Sequence, residues 1–278
     1  MKRTLSIALS VFAALLIICT VFIYIGYDKF MAIETVEHDP QLEIFLGGGG
    51  NSIVLTSEDG STALIVDTKM GRAAKELRKK VKAANIIIVN THAHPDHIGG
   101  NALYKGAHVI SGAYTADQWH AMAGKTPFPD ETVPENGEKV LKIGSETVHL
   151  RNIGRAHTWQ DLVVYLENRK MLITGDLVFL NMHPVFNNAG GCSAEGWISA
   201  LDSLSRDFDP VMVMPGHGPL SDKYAVTEMK EYFSSIRDAL DDKKQLQYLR
   251  KKYTHYRSLP PMSGFDMTVK YIKGERKG

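Results

Sequence analysis

The sequence predicts an α/β fold with a mostly parallel sheet. Three apolar runs, at 85–90, 171–175 and 211–215, read as buried strands. Each is followed within two residues by a histidine or an aspartate: His92, Asp176 and His217. Stretches whose apolar residues recur at helical intervals separate the strand-like runs, as at 72–82 and 194–207. In α/β folds the carboxyl ends of the strands are where ligands gather.

The elements follow in order. Gly47, Gly48, Gly49, Gly50 and Asn51 form a turn between two early strands, without the spacing of a phosphate loop. Strands are expected at 52–56 and 63–67, and a helix at 72–82. Short helices at 97–105 and 114–123 flank a strand at 108–111. Gly124, Pro127, Pro129, Pro134 and Gly137 mark residues 124–138 as a loop. A strand at 162–166 and a second long loop at 180–193 precede the helix at 194–207. One long helix is expected over 223–248, where Val226, Met229, Phe233, Ile236 and Leu240 make a stripe that should cover a sheet face.

The densest chemical signal is Thr91-His92-Ala93-His94-Pro95-Asp96-His97. Three of the chain's eleven histidines and an aspartate fall within six residues, a donor set suited to first-row metals. Pro95 stops the preceding strand. Asp96 is expected to cap a following helix, with His97 in its first turn. His92 and His94, two apart in extended chain, face one side and can share one metal. Asp96 and His97 can reach a second. His157 stands before the strand at 162–166, and Asp176 and His217 follow strand ends. Imidazole and carboxylate donors suit Zn, Fe, Mn or Ni and need no cysteine.

With Asp67, the HxHxDH cluster, His157, Asp176 and His217 in this order, residues 42–235 resemble the metallo-β-lactamase-fold hydrolase superfamily, which includes glyoxalase II-like enzymes. The resemblance implies a four-layer αββα sandwich with a metal cleft at one edge. It implies that His92, His94 and His157 hold one divalent ion and Asp96, His97 and His217 a second. Asp176 then bridges the two, Asp67 steadies the histidine turn, and Thr91 and Thr158 support the ligands beside them. Zinc is the expected metal, with iron or manganese as alternatives. The implied activity is hydrolysis of an ester, thioester, lactam or related bond in a small molecule, by a hydroxide shared between the ions. Asp96 is the candidate to orient that nucleophile or carry its proton.

Departures from some relatives narrow this expectation. An aspartate, Asp176, stands where some metallo-β-lactamases place a cysteine ligand, and the lysine that grips the lactam carboxylate in some of them has no obvious counterpart. The 61 residues after His217 do not read as glyoxalase II's helical substrate domain. A β-lactamase proper remains one alternative. A di-iron redox protein of the same fold is another, although no flavin domain is evident, and a non-catalytic binding module is a third. Phe128, Trp159, His183 and Asn187 are candidate substrate contacts from the two long loops and the His157 turn.

Residues 5–27 carry no charge and follow Lys2 and Arg3 in a basic segment, 1–4. As a helix they would span about 34 Å, against about 30 Å for a bilayer core. A single-pass signal anchor is expected, with the catalytic domain extracytoplasmic; a cleaved signal peptide, and secretion, is the alternative. The domain plan is then a tether at 28–41, a catalytic domain at 42–250 and a basic tail at 251–278. From Lys243 onward ten Lys or Arg face only Asp266 and Glu275, charge that could rest on anionic lipid. A net charge of +1 gives no reason to expect nucleic acid. Cys19 and Cys192 offer no disulfide framework.

Overall fold

A computed structural model of the chain describes residue 20 and residues 24–276. Residues 5–19 and 21–23 of the expected membrane span lie outside the described residues. Residues 24–30 are helical, and among the described residues no helix is long and apolar enough to cross a membrane.

Two sheets stack face to face. The first holds β1 (Ile33–Asp39), β2 (Leu42–Gly47), β3 (Ser52–Thr56), β4 (Thr62–Val66), β5 (Asn85–Val89), β6 (His108–Gly112) and β7 (Glu131–Val133), side by side in chain order. Its first four strands are antiparallel and β4 to β7 are parallel. The second runs β12 (Met212–His217), β11 (Met171–Phe179), β10 (Asp161–Leu166), β9 (Glu146–Gly154) and β8 (Glu138–Ile143), with only β11 and β12 parallel.

Strand alternation sorts the apolar residues between layers. On β4, Leu64 and Val66 join the core between the sheets, while Ala63 and Ile65 turn outward. The outward set packs under α1 (Gly71–Lys80) through Leu77 and, just past its end, Val81. The second sheet's outer face carries α4 (Ala194–Asp207) and α5 (Tyr224–Asp238), whose Trp197, Leu201, Met229 and Phe233 are fully buried there. Every residue of β11 is buried, as befits a strand covered on both faces. Helices α2 (Pro95–Ile98) and α3 (Ala116–Ala123) lie between strands of the first sheet.

Several expectations need correction. The supposed tether contains β1, which pairs with β2 from Ile33 to Asp39. The span 223–248 is two helices, α5 and α6 (Lys243–Lys252), because Asp242 turns back to accept from the backbone N–H groups of Lys244 and Gln245 and so starts a new helix. The expected tail folds onto the domain: α7 (Phe265–Glu275) buries Phe265 and Ile272 beside Tyr253 and Tyr256. Within 124–138 lies the short strand β7, and β8 and β9 were not anticipated.

Arg169 fastens β1 to the second sheet. Its guanidinium donates to Asp39 at 2.8 and 3.0 Å and to the buried Glu146. Arg169→Met leaves Glu146 buried without its partner, and we expect a loss of about 3 kcal/mol in denaturant unfolding. Proteolytic cleavage within residues 28–41 should rise in parallel.

Candidate metal centre

Residues at or beyond the ends of β5, β9 and β12 meet Asp176 of β11 at one edge of the sandwich. His92 follows β5. Pro95 opens α2, so Asp96 and His97 lie in its first turn and His94 takes the cap position expected for Asp96. His157 follows β9, Asp176 lies within β11, and His217 closes β12.

Seven side chains converge there in two groups: His92, His94, His157 and Asp176, and then Asp96, His97 and His217. In the first, His157 Nε2 lies 3.0 Å from His94 Nδ1 and 3.3 Å from Asp176 Oδ2, and His92 Nε2 lies 3.7 Å from Asp176 Oδ2. In the second, His217 Nε2 is 3.3 Å from Asp96 Oδ2, and His97 Nε2 is 3.7 Å from the same oxygen. Asp176 belongs to both, because its Oδ1 is 3.1 Å from His97 Nε2 and 3.4 Å from His217 Nε2.

These separations test whether metal ions fit. Donors arranged tetrahedrally about 2.1 Å from a common ion stand roughly 3.4 Å apart. His92 Nε2, His97 Nε2 and Asp176 Oδ1 are buried and have no hydrogen-bond partner. Buried polar atoms left unpaired are costly. With one of these histidines in each group and Asp176 facing both, their pairing suits cations held in the two groups.

The surroundings fix which atoms face inward. Asp67 Oδ1 accepts from the Thr91 backbone N–H at 2.9 Å, and Oδ2 accepts from the Thr91 hydroxyl at 2.7 Å. The same Oδ2 lies 2.7 Å from His97 Nδ1, so that nitrogen donates to Asp67 and Nε2 is turned toward Asp176 and Asp96. Thr91 Oγ1, its own proton given to Asp67, can accept from His92 Nδ1 at 3.1 Å, which leaves Nε2 free. Asp67 itself adopts φ 60°, a left-handed conformation that places its carboxylate under the turn. On the other side Asp161 holds the His157 turn. Its carboxylate accepts from Thr158 N at 2.8 Å, Ala156 N at 3.2 Å and the Thr158 hydroxyl at 2.8 Å.

Charge divides the cluster. Burial pushes His94 down to about 3, and burial with the neighbouring His97 takes His92 well below its ordinary value. Both are therefore neutral imidazoles able to act as ligands. Burial opposes protonation of His217 and His97 too, but the carboxylates of Asp176 and Asp96, joined at His97 by Asp67, raise His217 to about 9 and His97 well above normal. The carboxyls of Asp176 and Asp96 are held low by these histidines despite their burial.

Two glycines leave room that no side chain could share. A Cβ on Gly216 would stand 2.0 Å from Asp176 Oδ1, and one on Gly50 2.4 Å from the His97 ring. The Gly47–Gly50 turn is held from below by Lys69, which is wholly buried and donates to the carbonyls of Phe45 at 3.0 Å, Gly47 at 2.5 Å and Gly50 at 2.7 Å.

A family model for the metallo-beta-lactamase superfamily matches residues 46–217. The chain belongs to the metallo-beta-lactamase superfamily. It is accordingly a metal-dependent hydrolase. The metallo-beta-lactamase type 2 of Bacillus cereus is 28% identical over 181 residues, covering 62% of this chain and 68% of the relative. A hydroxyacylglutathione hydrolase of Synechococcus sp. (strain CC9605) is 25% identical over 174 residues, covering 57% of this chain and 62% of that one. Among solved structures, a metallo-beta-lactamase from Pontibacter korlensis superposes with a TM-score of 0.63 at 21% identity, over 73% of this chain and 99% of the other. The DIM-1 metallo-beta-lactamase gives 0.60 at 22%, over 73% and 97%. These structures share the fold.

The loop residues expected at the substrate are placed less simply. His183 turns into the helical layer, where it is buried 2.8 Å from the Tyr232 hydroxyl and pushed down to about 4 by burial. It is therefore no substrate contact. Phe128 is half-exposed and packs edge-on against Trp119 at 6.0 Å. Trp159 lies under the Arg155 guanidinium at 4.9 Å. Asn187 accepts from Gly190 N and lines a cavity of about 670 Å³ with Arg155, Phe186, Cys192, Lys270 and Tyr271; none of the seven donors lines it.

Asp161 and Lys69 were missed from sequence. Asp161 sits four residues after His157, a spacing that signals a turn-gripping carboxylate. Nothing in the sequence marks Lys69 as buried.

Asp67→Asn tests the orienting role. The amide can accept from Thr91 but presents an N–H₂ to His97 Nδ1–H. Metal affinity should fall about 10- to 100-fold, read by competition with a chromophoric chelator, while circular dichroism stays unchanged.

Proposed function

We propose that this superfamily member is a dinuclear hydrolase acting on an ester, thioester, lactam or related bond of a small molecule. The observation that carries this reading is Asp176, whose two carboxylate oxygens face two separate donor groups. His92, His94 and His157 would hold one divalent ion, and Asp96, His97 and His217 the other. When bound, two ions, zinc by preference over iron or manganese, would bring the pKa of water toward about 7 and polarise a carbonyl oxygen.

The chain's own contribution is position and access. Asp176, His92, His97 and His157 are buried, whereas His94, Asp96 and His217 are partly exposed. The cluster therefore opens along one rim, and a substrate carbonyl approaches there. Asp96, on that rim, is placed to orient an attacking water and to take its proton. Asp67 keeps the His97 imidazole in fixed orientation and Asp161 fixes the backbone turn that carries His157, which lowers the cost of assembling the reacting groups.

The names of the relatives above favour testing lactams and thioesters first. We further propose that residues 5–27 anchor the chain in a membrane with the hydrolase domain extracytoplasmic. The support is the uncharged length of that segment and the two cations before it.

The decisive variant is His94→Ala. His94 is a rim residue, so the domain should stay folded. Hydrolysis across a panel of chromogenic esters, thioesters and lactams should drop by more than about 100-fold, and bound metal should fall with it. A folded, metal-depleted variant that kept its activity would refute the dinuclear reading. Chelator should abolish wild-type activity, and added zinc should restore it.

A further inference from the structure

Helix α1 is the most one-signed surface element beside the start of the described chain. It carries Arg72, Lys75, Arg78, Lys79 and Lys80, with Lys82 just beyond, against the single acid Glu76. Its apolar side, Ala73, Ala74 and Leu77, is buried on the first sheet, so the cations point away from the domain. Arg72 pairs with Asp28, Lys79 with Glu76, and Arg78 donates to the carbonyls of Leu103 and Val81. Among the described residues, Lys75, Lys80 and Lys82 have no carboxylate in ion-pair range.

The helix at residues 24–30 stands against the first turn of α1. The Tyr27 hydroxyl lies 3.0 Å from where a Cβ on Gly71 would be, and Asp28 meets Arg72. Lys75 and Lys79 follow Gly71 at four-residue intervals, so they continue in line from Tyr27 along one side, and the exposed Lys82 lies two residues past the helix end. Tyr24, Tyr27 and Phe30, spaced by three, are 66%, 47% and 49% exposed. Exposed aromatics at the end of an uncharged run of membrane length, with lysines beyond them, match the order of chemistry met on leaving a bilayer: acyl core, interface, headgroups.

We propose that α1 lies on the surface of an anionic membrane, with Lys75, Lys79 and Lys82 against phospholipid phosphates and Tyr24, Tyr27 and Phe30 at the interface. This inference rests on the membrane-anchor reading proposed above. It places the lipid contact on the opposite side of the sandwich from the basic C-terminal region. Helix α6 belongs to the outer layer of the second sheet, and there Arg250 is paired with Asp266.

The test uses the full chain with vesicles of phosphatidylcholine alone or with phosphatidylglycerol added, read by flotation and by hydrogen exchange. We expect flotation with both. Exchange across 71–82 should slow several-fold only on the anionic vesicles, with α6 unchanged, and high salt should reverse the effect. Each lysine near the surface strengthens docking about fivefold, so Lys75→Gln with Lys79→Gln and Lys82→Gln should weaken it roughly a hundredfold and remove the slowing, while the variant still floats. Flotation without slowing in 71–82 would overturn the lipid face and leave the anchor intact. Flotation with neither vesicle would overturn both. Slowing in α6 instead, or slowing of 71–82 by heparin but not by lipid, would also overturn the assignment.

Discussion

Everything at this site depends on one carboxylate shared between two sets of imidazoles. Asp176 is buried in the strand covered on both faces, and no hydrogen bond satisfies its Oδ1. An isolated buried carboxylate would be strongly destabilising. Here His217 and His97 hold it ionised, and β12, which pairs with the Asp176 strand, carries His217. Remove Asp176, and two half-sites of three donors each lose their common member.

The fold serves that constraint at several levels. The parallel ladders β4–β5 and β11–β12 bring chain segments far apart in sequence to one edge. Glycine at 50 and 216 lets backbone approach the His97 ring and the Asp176 carboxylate more closely than any side chain permits. Asp67 and Asp161 grip the two turns that carry histidines, one from each sheet. Lys69 ties the glycine turn to the interior. Burial pushes its ammonium down to about 7, although Asp67 and Asp96 oppose the shift, so its three carbonyl acceptors offset a real desolvation cost. A metal centre needing such support is held by its surroundings as much as by its ligands.

Much of this was legible in the sequence, for identifiable reasons. The 85–90 stretch held an unbroken apolar run, and the helix at Ala194–Asp207 carried helical periodicity and a clear start, Ser193 capping it by accepting from Gly196 N. The seven donors were visible because four of them cluster within six residues and the others stand beside strand-like runs; Asp176, read as following a strand end, lies inside β11 because that strand continues to Phe179. The failures were equally physical. β1 has only partly buried and exposed residues, so its composition reads as linker, and what holds it is the ladder to β2 together with the long-range pairing of Asp39 with Arg169. The apolar stripe continues past Asp238 to Leu240, which concealed the break at Asp242. His183 lay in the right loop, but whether it faced the cleft or Tyr232 depended on packing of α5, which no local pattern encodes.

The most direct test is anomalous diffraction from crystals of the metal-loaded protein. Two peaks are expected about 3.5–4 Å apart on either side of the Asp176 carboxylate. One peak would be bounded by His92, His94 and His157, and the other by Asp96, His97 and His217. A single ion in fully loaded, active protein, or ions bound away from these side chains, would contradict this arrangement.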